Sequence, residues 1–215
     1  MPYFVYTVLS LTIGAGALTG LWRYRKIERR YLPFVWLTWA GFGNEVAANL
    51  LVRQHSNIVL YNVYACLEFF LLCLQFERWG LFRRRPSLYY VLQICMLGLW
   101  CTESLCFDIF MVNSYFLIIS SFAVVLMGIE TTSEMLFFES YRLLRNSKFL
   151  ICSGLILFFS YSILVEMFWV FGLKHSVAFR VRIYEILYII NAFTNLVFAL
   201  AILWMPMRPR YILQW

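Results

Sequence analysis

Of the 215 residues, 63% are hydrophobic, 20% aromatic and 13% charged, and the formal net charge is +7. Soluble domains carry about 45–50% apolar and about 25% charged residues, so a single core of this size cannot hide the apolar excess. The balance excludes an ordinary cytoplasmic enzyme, a disordered chain and a disulfide-stapled secreted module, and it leaves a protein dissolved in a bilayer.

A helix needs about 20 mainly apolar residues to cross the hydrocarbon, and seven segments qualify in chain order. The first, Tyr3–Trp22, carries Gly16-x-x-x-Gly20 and meets its first basic residue only at Arg23, which predicts an uncleaved anchor and no signal peptide. The second, Leu32–Val52, carries Gly43-x-x-x-Ala47 and the polar Asn44, Glu45 and Asn49. Both small-residue pairs predict close backbone approach between neighbouring spans rather than dimerisation. The third, Asn57–Trp79, places Asn57, Tyr61, Tyr64, Glu68 and Gln75 at helical spacing on one face. Leu88–Phe107 holds Glu103, and Val112–Phe137 holds Glu130 and Glu134. Phe149–Gly172 offers Ser162 and Glu166 four apart, and Val181–Met205 repeats Tyr184, Tyr188, Asn191 and Asn195 on one face beside Glu185. Short loops join these spans, so residues 1–215 read as a single all-α transmembrane helical-bundle domain without a soluble domain.

Charge placement orients the bundle. With the N-terminus outside, fourteen of the 18 Lys and Arg residues fall on inner segments, around Arg23–Arg30, Arg78–Arg85, Arg142–Lys148 and Arg208–Arg210. Only Arg53, Lys174, Arg180 and Arg182 fall outside. The positive-inside rule then puts the N-terminus outside and the C-terminus in the cytoplasm. Were the polar second span not to cross, the basic runs at 23–30 and 83–85 would lie on opposite sides. Short basic runs at helix ends meet anionic lipid, so the lipid bilayer is the expected partner and nucleic acid is not.

The acids carry the most information. Every span from the second to the seventh contains a Glu, and an acid at mid-bilayer costs roughly 2.5–3.5 kcal/mol. Six facing lipid would cost on the order of 15–20 kcal/mol, above a typical folding stability. They are therefore expected to face the bundle interior, find partners or take up a proton. By depth, Glu45, Glu103, Glu166 and Glu185 belong to the outer half and Glu68 to the midplane. One reading makes the four outer acids the entrance of a polar vestibule. In it, Glu68, Tyr61, Tyr64, Tyr188, Asn191 and Asn195 form a midplane ligand-binding site. The other makes them a salt-bridged cap with the outer basic residues. A weak internal repeat aligns Leu60-Tyr61, Ala65 and Glu68 with Leu187-Tyr188, Ala192 and Asn195 at constant offset, and sets Glu45 against Glu166. It predicts two parallel three-span halves joined by the fourth span, an arrangement that places binding sites between the halves.

Several chemistries are excluded. Lys26, Lys148 and Lys174 all lie in loops, so no span offers a retinal Schiff base, and no span carries regularly spaced Arg for voltage sensing. His55 and His175 are the two histidines, both at outer loops, too few for a zinc-dependent membrane hydrolase. No G-x-S-x-G, H-E-x-x-H or phosphate loop occurs. The cysteines Cys66, Cys73, Cys95, Cys101, Cys106 and Cys152 all sit within spans without metal-binding spacing. No catalytic residue, metal or cofactor is therefore expected; an intramembrane lipid hydrolase using paired Glu is the residual enzymatic reading.

Asn62-Val63-Tyr64 followed by Leu67-Glu68-Phe69-Phe70, the aromatic Ser-containing sixth span, and Tyr184-Glu185 through Trp204 carry a resemblance. Over about half the chain it resembles a group of small, uncharacterised seven-span inner-membrane proteins of the Bacteroidetes type. The resemblance implies the topology and an inner-membrane location but no activity. The leading expectation is a non-enzymatic bundle that binds or transports a small solute, cation or proton through an outward-facing carboxylate cavity. The alternative is an accessory protein without a ligand, acting on a membrane partner such as a sensor kinase or a phage-defence effector, or as a homo-oligomer. The fifth span running into Glu139–Arg142 and the basic inner loops would then form its contact surface.

Overall fold

The computed structural model describes residues 3–51, 57–106, 110–138, 145–171 and 177–208. Eight α-helices run through these residues: α1 (Tyr3–Ser10), α2 (Ile13–Arg23), α3 (Leu32–Leu51), α4 (Asn57–Arg78), α5 (Pro86–Cys106), α6 (Ser114–Phe138), α7 (Ser147–Val170) and α8 (Val177–Trp204). The described residues include no strand, only an isolated bridge between Ile27 and Met207. Among the described residues, six helical segments are long and apolar enough to cross a membrane: Phe4–Arg23 (α1 and α2 together), Asn57–Arg78, Pro86–Cys106, Ser114–Phe137, Ser147–Val170 and Val181–Trp204. α3 is not among them, because Asn44, Glu45 and Asn49 crowd its second half.

Local chemistry explains the helix ends. The first span kinks at Leu11–Thr12, where no proline stands; instead Ser10 Oγ donates to Thr7 O at 3.2 Å and Thr12 Oγ1 to Leu9 O at 2.6 Å. Such back-bonding competes with the helical ladder and bends it. α4 stops at Gly80, whose φ of +92° suits glycine. There Leu81 N donates back to Phe76 O at 3.1 Å and Gly80 N to Glu77 O at 2.8 Å. α7 opens on Asn146, whose side chain accepts from Lys148 N at 2.9 Å.

The helices form a ring. α2 packs on α3, α3 on α4, α4 on α6, α6 on α7, α7 on α8, and α8 returns to α1 and α2. α5 lies outside the ring against α4 and α6. Neighbours register tightly through glycine: a Cβ on Gly20 would sit 2.9 Å from Val35 of α3, and one on Gly128 2.9 Å from Ile156 of α7. One on Gly154 would come within 2.6 Å of Phe198 of α8. The expected close packing at Gly16 and Gly20 is thus within the chain. At Gly43 it fails: this residue is exposed, and a Cβ added there would meet nothing within 4 Å.

The two ends of the ring differ. At the end carrying the basic loops the centre is solid, filled by Phe34, Phe69, Leu72, Phe76, Ile202 and Met205, none more than 2% exposed. Arg23 is buried there and closes the C-terminus of α8. Its Nη1 donates to Ile202 O at 2.9 Å and to Leu203 O, and its Nη2 to Met205 O at 3.3 Å. The chain after α8 then pairs with the loop after α2 through Glu28 N to Pro206 O and Arg208 N to Lys26 O, at 3.0 and 2.8 Å. Buried Gln75 serves the same end: its Oε1 accepts from Phe34 N at 3.0 Å and its Nε2 donates to Arg30 O at 2.8 Å, anchoring the start of α3. Toward the other end the side chains facing the axis become small or polar, and the ring is hollow.

Candidate functional site

The hollow is a cavity of about 520 Å³ lined by every helix of the ring and not by α5. It extends from Asn57 at the first turn of α4 and Trp169 at the last turn of α7 down to a floor of Phe69, Leu155 and Phe198. Along α8 the lining runs from Tyr184 to Phe198, about 20 Å at the helical rise. Space exists there because Ser10, Gly41, Ala48, Ser120, Ser121 and Ser162 face the axis where the other half of the ring has Phe, Leu and Ile.

Three carboxylates line it: Glu45 from α3, Glu68 from α4 and Glu166 from α7. Tyrosines link them. Tyr64 Oη donates to Glu68 Oε1 at 3.3 Å. Tyr61 lies close enough to Glu68 and Glu166 to feel both charges, and Tyr188 close enough to feel that of Glu45. Among the described residues, none in the lining is Lys, Arg or His. An ion pair among the described residues joins Arg30 to Glu28 at 3.3 Å, away from the cavity. Several lining groups also lack partners: Asn44 Oδ1, Asn57 Oδ1, Glu166 Oε2 and Thr194 Oγ1 are buried without a hydrogen bond. Asn57 Nδ2 donates to Ala48 O at 3.4 Å, which leaves its oxygen as the free end. A buried polar atom without a partner costs about 1–3 kcal/mol. The cavity therefore presents unmet acceptors that water or a solute with N–H or O–H groups can satisfy.

Of the residues expected at the site, Glu45, Tyr61, Tyr64, Glu68, Glu166, Tyr188, Asn191 and Asn195 all line the cavity. Asn195 also ties α8 to the kink of the first span, its Nδ2 donating to Thr12 Oγ1 at 3.1 Å and to Asn191 Oδ1 at 3.4 Å. Two expected residues are elsewhere. Glu103 is 6% exposed and caps α6, accepting from Tyr115 N at 3.0 Å and Phe116 N at 2.8 Å. A helix N-terminus offers unsatisfied N–H groups and a positive dipole end, a local demand that draws this acid away from the axis. Glu185 sits outside the lining and accepts from Tyr6 Oη at 3.1 Å, fastening α8 to α1. Gln75, the last member of the α4 stripe, belongs to the solid floor.

Of the three outcomes expected for the span acids, an interior position, a partner or a proton, the first does not hold at Glu130 and Glu134, which are exposed on α6. α6 is 25 residues long, more than the roughly 20 that cross a bilayer. Its last turns, with both acids, lie toward the end that carries Arg145 and Lys148. Of the basic residues expected to balance the outer acids, Arg53 and Lys174 lie outside the described residues, as do His55, His175 and Glu139–Arg142. The backbone of Arg180 alone is described, and Arg182 is exposed.

Sequence reasoning did not assign Asn44, Asn57, Ser120, Ser121, Trp169, Tyr184 or Thr194 to the site. Asn57 and Tyr184 stand on the two stripes that predicted it, and Asn44 is the neighbour of Glu45. Thr194 and Trp169 carried no signal beyond their helices. No protein-family model, no curated protein and no solved structure matches the chain.

Proposed function

We propose that this protein is a seven-span membrane bundle, N-terminus outside, that binds a small solute, cation or proton in its carboxylate-lined cavity and carries it across the membrane or reports it. The observation that carries the reading is a cavity of about 520 Å³ containing Glu45, Glu68 and Glu166, with unmet acceptors and, among the described residues, no basic side chain in its lining. Volumes of about 300–1,000 Å³ with a few placed polar groups are typical of small-molecule sites. The charge bias of the loops supports the orientation, and α3 counts as a crossing because its polar residues face the cavity: Asn44 and Glu45 are both in the lining. An inner (cytoplasmic) membrane of a bacterium is the location in keeping with this bias and with the resemblance.

The ring also favours two parallel halves. Helices α1–α3 and α4 make one half, α6 to α8 the other, and α5 is the linker outside. Such halves would exchange the contact of α8 with α2 for that of α4 with α6, and both contacts exist. Gly20 against Val35 corresponds to Gly128 against Ile156, and the offset from Val35 to Ile156 is also that from Glu45 to Glu166. Tyr61 and Glu68 face Tyr188 and Asn195 across the same cavity. Halves that rock about a shared site are the working principle of many carriers.

The test is thiol access. In a background with the six native cysteines replaced, Glu45→Cys, Tyr64→Cys and Glu166→Cys are expected to react with a membrane-impermeant thiol reagent from the outer side. Lack of reaction at all three removes the aqueous cavity. In the partner-only reading, Glu68→Gln is silent and charge reversal of Arg83, Arg84 and Arg85 abolishes co-purification of a partner; the solute reading expects the opposite.

A further inference from the structure

We infer that the solute is a protonated organic amine carrying two or more N–H groups on an apolar body; this deepens the proposed solute site and rests on it. The sign of the charge follows from the described lining, which holds Glu45, Glu68 and Glu166 and, among the described residues, no Lys, Arg or His. An anion would face these three acids with no described cationic partner. The need for N–H donors follows from the unmet atoms. Asn44 Oδ1, Asn57 Oδ1 and Glu166 Oε2 are acceptors, buried and unpartnered, and Glu166 as a whole is 7% exposed. An ammonium group supplies three donors from one centre. A quaternary ammonium carries the same charge but donates nothing and leaves those atoms unsatisfied.

The apolar body follows from the rest of the wall. Phe69, Phe158, Phe159, Phe198, Trp169 and Leu155 face the same space, and aromatic faces attract cations within about 6 Å. A bare divalent ion fits less well. It takes six to eight oxygens at about 2.3–2.6 Å for calcium, and among the described residues no three His, Cys, Asp or Glu side chains converge on one point. The carboxylates are distributed along the cavity wall, which suits an elongated molecule that sets its ammonium at one acceptor cluster and its body among the rings.

Isothermal titration of the full chain in lipid nanodiscs at pH 7 tests this with four probes that share one body: phenethylamine, its N,N,N-trimethyl derivative, 2-phenylethanol and 3-phenylpropionate. The expected result is saturable binding of phenethylamine, with the other three at least tenfold weaker. Glu166→Gln is expected to weaken phenethylamine at least tenfold while melting as the parent does; Asn57→Leu is the second variant should the first not fold. Equal affinity for 2-phenylethanol or for the trimethyl derivative overturns the inference and leaves the solute cavity standing. Stabilisation by calcium or magnesium chloride that matches the amine also overturns it. Absence of binding by all four probes overturns it as well, and thiol access at positions 45, 64 and 166 then tells whether the cavity reading falls with it.

Discussion

Glu103 and Glu166 are similarly buried acids, near enough for one to feel the charge of the other, yet their chemistry separates them. Glu103 offers both oxygens to backbone N–H groups at the start of α6, while Glu166 keeps one oxygen unpartnered in the cavity. Replacing a cap that satisfies two helix donors costs about 1–2 kcal/mol. Glu103→Ala is therefore expected to lower the melting temperature in detergent and leave amine affinity within twofold of the parent, the inverse of Glu166→Gln. A melting temperature unchanged by Glu103→Ala would contradict the cap. Arg23 belongs to the same class as Glu103. Its guanidinium closes the C-terminus of α8, and Arg23→Gln is expected to destabilise by about 2–4 kcal/mol, because buried carbonyls lose charged donors.

At the level of helices, glycine separates contacts from coincidence. Gly20, Gly128 and Gly154 each bring two helices to a distance that a methyl group would violate. Overfilling such a contact costs about 1–3 kcal/mol, so Gly154→Val is expected to destabilise by that amount as α7 is pushed off Phe198. Gly43 meets nothing. Alanine exceeds glycine in a helix by about 1 kcal/mol, so Gly43→Ala is expected to be neutral or to raise the melting temperature. Both are read by thermal unfolding in detergent, and a loss from Gly43→Ala would place a neighbour on that face. The sequence motif around Gly43 matches the one around Gly16; only the helix across from each distinguishes them.

For the whole molecule, one polar helix decides the topology. With α3 crossing, the N- and C-termini lie on opposite sides of the membrane; without it they share one. Compartment-specific reporters fused at each end are expected to report opposite sides, and the same side for both would remove the seventh crossing. A crossing α3 also explains the asymmetry of the ring. Its first half packs Phe34, Val35 and Leu37 into the solid floor, and its second half turns Gly41, Asn44 and Glu45 to the cavity.

The all-helical character, the helix boundaries to within a few residues and the two polar stripes were determined by the sequence alone, because hydropathy and helical period are local quantities. Tyr61, Tyr64 and Glu68 on α4, with Tyr188, Asn191 and Asn195 on α8, could be grouped by spacing before any neighbour was known. What the tertiary structure decided is which acids meet a competing partner. Glu103 and Glu185 carry the same side chain at a similar predicted depth as Glu45 and Glu166, and nothing in their flanking residues announces that α6 begins beside one and Tyr6 stands beside the other. Exposure of Glu130 and Glu134 likewise depends on which face of α6 its neighbours cover, since Thr131 and Met135 of the same turns are buried. Burial of a charge is a property of everything around it, and that surrounding is set by helices far away in the chain.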